Sequence, residues 1–227
     1  MGERMADFPF DLIGFDLDGT LLDTSDELTV SLNYALSTVD IPALSQSEVR
    51  PMVGLGAKHM LRMGLQASGA RDDELADRLL PILVDHYDAH LGTGSPPFPG
   101  LISAMDGLSE LGVRFAIVTN KYERLAVKLL DKTGFASRFE TIIGGDTLPG
   151  GKRKPDAAPI VEMIDRSGGK RAAFIGDSIY DVEAARNAGI PSVAVSFGFL
   201  HQPVEELGAD AVLDHYDALV SALRTLT

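Results

Sequence analysis

The chain has 227 residues, and 45% of them are hydrophobic, which is enough apolar material for a buried core and excludes a largely disordered chain. The formal net charge of −13 argues against a nucleic acid or an anionic membrane as a partner, since both attract positive surfaces. The sequence has no cysteine, which excludes disulfides, a thiol nucleophile and a cysteine-ligated zinc.

The first predicted element is a short apolar strand over residues 12–15, followed at once by two carboxylates, Asp16 and Asp18. Gly19 comes next and suits a sharp turn. Open α/β sheets bind their ligands at the carboxyl ends of such strands. Two acids this close repel each other unless one is protonated or a cation lies between them, and the usual cation at a phosphate site is Mg²⁺.

The interval to the second strand, about ninety residues, is far longer than an ordinary βα connection. Its apolar residues recur at helical spacing, which predicts a first helix with Thr24 or Ser25 as N-cap. A second helix should begin near Ser45, with Glu48 completing a capping box. A third should run from residue 75 to 87, and Pro81 is expected to kink or divide it.

A Pro/Gly-rich run over residues 92–100 ends this helical interval and is the best domain boundary in the chain. We therefore predict a helical cap domain at residues 21–96, inserted into a catalytic core formed by residues 1–20 and 97–227.

Strand-like and helical segments alternate in the rest of the chain. Strands are predicted at residues 113–118, 141–143, 172–175, 192–195 and 211–213, and helices at 101–111, 122–133, 157–167 and 179–188. This alternation predicts an α/β fold, a Rossmann-like parallel sheet with helices on both faces.

Polar residues follow three of the later strands. Thr119 and Asn120 precede a helix, where they could bind phosphate together with the free N–H groups of the helix start, or simply cap the helix. Lys154 precedes the next helix, where a lysine opposes the helix dipole, so it either meets an anion or belongs to a solvated basic loop. Asp177 and Asp181 could be metal ligands, or one could cap the next helix and the other favour its dipole.

Considered together, four acids and one lysine should meet at the carboxyl ends of neighbouring strands. Such a cluster would be unstable without a cation. A divalent metal with a lysine, hydroxyl and amide donors and a carboxylate nucleophile is the set of groups that phosphoryl transfer needs.

These residues resemble the motifs of the haloacid dehalogenase superfamily of phosphatases. The matching segments fall in the expected order: Asp16-Leu17-Asp18-Gly19-Thr20, Thr119, Lys154-Pro155, and Gly176-Asp177 with Asp181. Residues 139–155, which include Gly144-Gly145-Asp146-Thr147-Leu148-Pro149, and residues 49–56 are most similar to the bacterial phosphoglycolate phosphatase branch.

Two departures from that branch lie around the motif lysine. Ala157 stands where relatives tend to have a proline, and the loop before Lys154 is longer by Gly151 and Lys152. Lys154 is the better match because Pro155 follows it, and Lys152 is the alternative.

The resemblance implies a phosphatase with an aspartyl-phosphate intermediate, and it assigns roles to the matching residues. Asp16 would be the nucleophile and Asp18 the general acid and base, while Lys154, Thr119, Asn120 and Gly19 would bind the phosphoryl group. Mg²⁺ would be bound by Asp16, Asp177 and the backbone carbonyl of Asp18, with Asp181 as a supporting partner.

The resemblance also implies a small phosphorylated metabolite as substrate, with 2-phosphoglycolate preferred. A sugar phosphomutase, a pyrophosphatase, a nucleotidase and a non-catalytic binding module remain alternatives. In the cap, Arg50, Lys58 and His59 could bind a substrate carboxylate or be ordinary exposed residues.

The chain is expected to act in the cytoplasm as a monomer or homodimer. No apolar stretch is long enough to span a bilayer, and residues 1–6 lack the apolar core of a signal peptide.

Overall fold

Six parallel strands form the sheet of the computed structural model, which describes residues 8–226. Their bounds are β1 Leu12–Phe15, β2 Arg114–Val118, β3 Thr141–Ile143, β4 Ala172–Gly176, β5 Ser192–Val195 and β6 Ala211–Leu213. The order across the sheet is β3-β2-β1-β4-β5-β6, and each neighbouring pair is parallel. The predicted α/β fold class and all six predicted strands are confirmed.

The register of the central strands brings their carboxyl ends into line. Phe15 at the end of β1 pairs with Ile117 of β2 on one side and with Ile175 of β4 on the other. The residues that directly follow these three strands therefore meet at one edge of the sheet, where ligands of open α/β sheets bind.

Helices cover both faces of the sheet because neighbouring residues of a strand point to opposite faces. Ile13 and Phe15 lie in the larger hydrophobic cluster, whereas Leu12 lies in a second cluster with Met163 and Ala184. The helices of the described residues are α1 Ser25–Ser37, α2 Gln46–Val49, α3 Ala57–Ala67, α4 Asp73–His90, α5 Leu101–Glu110, α6 Glu123–Thr133, α7 Ala158–Ser167, α8 Ile179–Ala188 and α9 Leu219–Thr225.

The interval between β1 and β2 is helical, as predicted. The capping box of Ser45 and Glu48 is present at the start of α2. Of the two expectations for Pro81, the division of the third predicted helix is wrong, because α4 continues through it, and the kink stays a prediction. The buried face of α4 packs against α1 and α3, and this packing offsets the backbone hydrogen bond that proline cannot make.

Two helices were not predicted. Helix α3 begins after Gly56, which has a positive φ and no side chain to signal an N-cap, and α9 is a short helix of seven residues near the carboxyl end. No helix of residues 8–226 has the length and apolar character needed to cross a membrane. Residues 1–6, on which the signal-peptide expectation depends, lie outside the described residues.

The turn after β1 depends on Gly19, whose φ is +82°. A Cβ at this position would lie 2.2 Å from Oδ2 of Asp177 and 2.9 Å from the Phe199 ring. Glycine is therefore needed both for the backbone conformation and for the close approach of the loops after β1 and β4.

We expect Gly19→Ala to destabilise the fold more than Gly69→Ala. Gly69 has the same φ of +82°, but no atom lies within 4 Å of its Cβ position. Gly69→Ala is therefore a control that should lose only the stability associated with a left-handed backbone, about 1–2 kcal/mol. Gly19→Ala should lose about 1–3 kcal/mol more from crowding. Urea unfolding of both variants measures the difference, and equal losses would contradict the assigned close contact.

The carboxylate of Glu27 on α1 holds the chain where it returns from the helical interval. It accepts hydrogen bonds from the backbone N–H groups of Gly92 at 3.0 Å and Gly94 at 2.6 Å, and the side chain is buried. The contact therefore ties the beginning of the interval to its end.

Glu27→Gln should lower the free energy of unfolding by about 1–3 kcal/mol, because hydrogen bonds to a buried charged acceptor are strong. Asp26→Asn removes the same charge from the same helix turn at an exposed residue, and should change stability by less than about 0.5 kcal/mol. Chemical denaturation compares the two variants. Similar small effects would show that the Glu27 contacts do not stabilise the junction.

Candidate active site

Three buried carboxylates meet at the carboxyl edge of the sheet. Asp16 follows β1, Asp177 follows β4, and Asp181 lies in the first turn of α8. One oxygen from each lies within 4.8 Å of the others. The two strand ends and the helix start are adjacent because β1 and β4 pair in parallel.

Lys154 neutralises part of this cluster. Its Nζ lies 2.8 Å from Oδ1 of Asp16 and 2.6 Å from Oδ1 of Asp181, and only 2% of its side chain is exposed. Lys152, the alternative motif lysine, is exposed. The structure therefore places Lys154, and not Lys152, among the acids.

Burial and mutual repulsion perturb the pKa values in the cluster. Burial raises the pKa of Asp16 to about 6, although the charge of Lys154 opposes the shift. Burial, followed by the charges of Asp181 and Asp16, raises the pKa of Asp177 well above its ordinary value. Burial alone would lower the pKa of Lys154, but Asp16 and Asp181 raise it, so this lysine stays protonated.

A divalent cation fits these residues. One ammonium group cannot neutralise three buried carboxylates. The pKa values of Asp16 and Asp177 are raised first by burial and then by the charges of the neighbouring acids, and a bound cation would oppose both effects. Hard oxygen donors at this spacing are suited to a cation such as Mg²⁺ or Ca²⁺.

Asp181 also makes contacts within its own helix start. Its Oδ2 accepts hydrogen bonds from the backbone N–H of Ser178 at 3.0 Å and from the Ser178 hydroxyl at 2.5 Å. It is thus both part of a capping box, as one of the sequence alternatives expected, and a partner of Lys154.

Asp18 lies apart from the three-acid cluster and pairs with a lysine that the sequence analysis did not select. Nζ of Lys121 lies 2.7 Å from Oδ1 and 2.8 Å from Oδ2 of Asp18. The Thr24 hydroxyl donates a further hydrogen bond to Oδ1 at 2.7 Å. Thr24 is the positional N-cap of α1, but its hydroxyl makes no capping bond.

The missed lysine stands next to residues that were selected, since Lys121 follows Thr119 and Asn120 directly. Its partner could not be inferred, because 103 positions separate it from Asp18. Burial alone would lower the pKa of Lys121, but Asp18 and Tyr87 beside it raise the pKa above its ordinary value.

Thr119 and Asn120 lie in the same loop, between Lys121 and the sheet. Both residues are buried, and both line a cavity with Asp16 and Asp18. The Asn120 side chain donates hydrogen bonds to the carbonyls of Gly54 at 2.8 Å and Lys154 at 3.1 Å. Among the hydrogen bonds of residues 8–226, none uses the backbone N–H of Asn120, which leaves it available to a ligand.

Gly19 was expected to bind phosphate, but its backbone N–H is already used in a hydrogen bond of the turn. The N–H of Gly19 donates to the carbonyl of Leu22 at 3.0 Å. Gly19 instead permits the close packing of Asp177 described above.

The cavity lies between the sheet edge and the helical interval, and has a volume of about 90 Å³. Its polar side is formed by the site residues Asp16, Asp18, Thr119, Asn120 and Lys121. Its opposite side comes from residues 28–87, and is mostly apolar: Leu28, Val53, Met60, Leu83, Val84 and Tyr87. A small ligand held here would contact both parts of the chain.

The three cap residues selected from the sequence do not converge on this cavity. Lys58 lines it but forms an ion pair with Asp77. Arg50 pairs with Asp23 at 3.2 Å and lies 4.7 Å from the centre of the Phe199 ring. His59 is partly buried, and burial together with His201 lowers its pKa. Neither Arg50 nor His59 is a lining residue.

Comparison with known proteins agrees with this geometry. The profile of the family described as haloacid dehalogenase-like hydrolase matches residues 13–195. A phosphoglycolate phosphatase of Caulobacter vibrioides is 41% identical over 217 residues, which cover 94% of this chain and 91% of the relative. A phosphoglycolate phosphatase of Agrobacterium fabrum is 41% identical over 215 residues, covering 92% and 90%.

A solved structure has the same fold over nearly its whole length. The crystal structure of a predicted phosphoglycolate phosphatase from Haemophilus somnus superposes with a TM-score of 0.86 at 28% identity, covering 94% of this chain and 97% of that one. The resemblance seen in the sequence is thus confirmed by the profile, the relatives and the fold. With its buried acids and lysine at the carboxyl edge of the sheet, the chain belongs to the haloacid dehalogenase-like hydrolase family.

Proposed function

We propose that this protein is a Mg²⁺-dependent phosphatase that hydrolyses 2-phosphoglycolate through an aspartyl-phosphate. The observation that carries the proposal is the position of Asp16, which is buried, paired with Lys154, grouped with Asp177, and directed at the same cavity as Asp18. The names of the relatives, which align over more than nine-tenths of the chain, support the substrate.

Mg²⁺ would be held by Asp16, Asp177 and the backbone carbonyl of Asp18. When bound, it would neutralise the acid cluster and the charge of the phosphoryl oxygens. Asp181 would keep Lys154 in place, since the two are 2.6 Å apart. The Thr119 hydroxyl, the Asn120 backbone N–H and Lys154 would bind the phosphoryl oxygens.

In the first half of the reaction, a carboxylate oxygen of Asp16 attacks phosphorus and the bond from phosphorus to the leaving oxygen breaks. Asp18 donates a proton to that oxygen. In the second half, water attacks the phosphorus of the aspartyl-phosphate, Asp18 accepts the water proton, and Asp16 is released with inorganic phosphate. Asp18 is suited to both steps because it lines the cavity beside Asp16.

Residues 21–96 would act as a cap over this site, with the core formed by residues 1–20 and 97–227. The apolar wall that this segment contributes to the cavity supports the proposal. A closed cap would exclude bulk water while the aspartyl-phosphate exists. The ion pairs of Asp88 on α4 with Arg124 and Lys128 on α6 would help to hold it closed.

Asp16→Asn should lower kcat/KM for 2-phosphoglycolate by at least about 10³-fold, because the amide cannot serve as the nucleophile. Asp11→Asn is the matched control, since Asp11 precedes the same strand at its opposite end. It should remain close to wild type. Phosphate release with Mg²⁺ present measures both, and a fully active Asp16→Asn would refute the mechanism.

Mg²⁺ binding should weaken as the pH falls through about 6. The raised pKa of Asp16 means that the cation-free site holds a proton below this pH, and Mg²⁺ must displace it. We expect the affinity at pH 5 to be about tenfold lower than at pH 7 from Asp16 alone. Calorimetric titration measures this, with circular dichroism to check folding at both pH values. Equal affinity at pH 5 and pH 7 would contradict the assignment of Asp16 as a ligand.

A further inference from the structure

Lys121 is the one buried cation among the residues that line the cavity. The other lining cations are Lys58, which is paired with Asp77, and Arg153, which is exposed. Only 6% of the Lys121 side chain is exposed, and it stays charged because Asp18 and Tyr87 stabilise the ammonium against the effect of burial. A buried cation on the wall of this cavity, next to the apolar side chains of residues 28–87, is well placed to bind an anionic group of a ligand.

The contacts of Asp18 create a conflict with its proposed role. Both of its oxygens face Nζ of Lys121, and Oδ1 also accepts the Thr24 hydroxyl hydrogen bond. Proton transfer to the leaving oxygen needs an oxygen of Asp18 that faces the substrate, whereas both oxygens face the Lys121 ammonium in this structure. An anion of the substrate that bound Lys121 would draw the ammonium away and leave an oxygen of Asp18 for the leaving group.

We propose that Lys121 binds the second anionic group of the substrate, a carboxylate on the carbon next to the leaving oxygen, and thereby releases Asp18 from its ion pair. The inference rests on the proposed function and deepens it. In such a substrate the carboxylate carbon is only two covalent bonds from the leaving oxygen. A ligand whose leaving oxygen contacts Asp18 therefore brings its carboxylate to the cation beside Asp18.

The surroundings of Lys121 favour this exchange. Its ammonium has three N–H donors, and the two close contacts to Asp18 leave one for a ligand. Nζ also lies 4.6 Å from the centre of the Tyr87 ring on α4, which supports the charge from the cap side. A substrate with an uncharged leaving group would meet mainly apolar side chains here and would leave the ion pair intact.

The proposed role of Lys121 assigns recognition of the substrate carboxylate to the loop after β2, and not to Arg50 or His59. The Arg50 guanidinium is engaged by Asp23, and neither residue lines the cavity. Lys58 and Arg153 lie at the cavity and are the competing candidates, so the experiment must include them.

The test uses two ligands that cannot be hydrolysed and differ only at one end. They are 3-phosphonopropionate, which carries a carboxylate, and propylphosphonate, which carries a methyl group. Calorimetry with Mg²⁺ gives the ratio of their dissociation constants for wild type, Lys121→Met and the control Lys152→Met, an exposed lysine outside the cavity. Wild type and the control should bind 3-phosphonopropionate at least about tenfold more tightly than propylphosphonate. In Lys121→Met the ratio of the two dissociation constants should be about one.

Removal of Lys121 leaves Asp18 as a buried acid without its cation, which could destabilise the fold. A second pair of variants therefore separates an effect on binding from an effect of misfolding. Asp18→Asn removes the competitor of the ligand and should raise the ratio above that of wild type. The double variant with Lys121→Met buries no unpaired charge and should again bring the ratio to about one. The proposal would be overturned if both proteins with Lys121→Met still bind the carboxylate ligand more tightly than the methyl ligand. It would also be overturned if this preference is lost in Lys58→Met or Arg153→Met instead.

Turnover separates this inference from the proposed function. Lys121→Met should lower kcat/KM for 2-phosphoglycolate by about tenfold or more relative to its value for ethyl phosphate. If wild type hydrolyses neither compound but its binding ratio depends on Lys121, the proposed function fails and the assignment of the anion site stands. A wild type that hydrolyses 2-phosphoglycolate but binds both phosphonates equally would overturn the assignment alone.

Discussion

The buried ammonium of Lys154 lies between the carboxylates of Asp16 and Asp181, with Asp177 beside them. Three acids and one lysine out of water carry an unbalanced charge, and such a group is stable only if protons or a further cation complete it. Burial, followed by repulsion from the neighbouring acids, raises the pKa values of Asp16 and Asp177. The same imbalance would favour the binding of a divalent metal at this site.

Three features of the fold bring these side chains together: the strand pairing, Gly19 and the helical segment after β1. Parallel pairing of β1 with β2 and β4 aligns the strand ends that lead to Asp16, Thr119 and Asp177. The absence of a side chain at Gly19 then lets the loops after β1 and β4 meet. A helical segment inserted after β1 supplies the apolar wall opposite the acids. Charge chemistry thus comes from the sheet edge, and most of the apolar enclosure comes from the insert.

Much of this could be predicted from the sequence, because strand ends, turn glycines and helix periodicity are local signals. The sheet, the helical insert and the residues that face one another at the sheet edge follow from such signals. The Asp18–Lys121 pair could not be predicted, since it joins residues 103 positions apart and neither has a local pattern that names its partner. The hydroxyl of Thr24 shows the same limit: its position predicts a helix cap, but tertiary contacts direct it to Asp18. Pro81 shows that packing of a buried helix face can override a local signal for a break.

Two lysines flank the proposed catalytic residues: Lys154 lies beside Asp16, the proposed nucleophile, and Lys121 beside Asp18, the proposed acid and base. The proposed mechanism depends above all on Asp16 forming the covalent intermediate. The most direct measurement is peptide mass spectrometry of the enzyme, quenched rapidly in acid during turnover of 2-phosphoglycolate with Mg²⁺. We expect a phosphoryl group on the peptide that contains Asp16, at Asp16 itself. Phosphate on another residue would contradict the assignment of Asp16. So would an unmodified enzyme when hydrolysis of the aspartyl-phosphate limits turnover, because the intermediate should then accumulate.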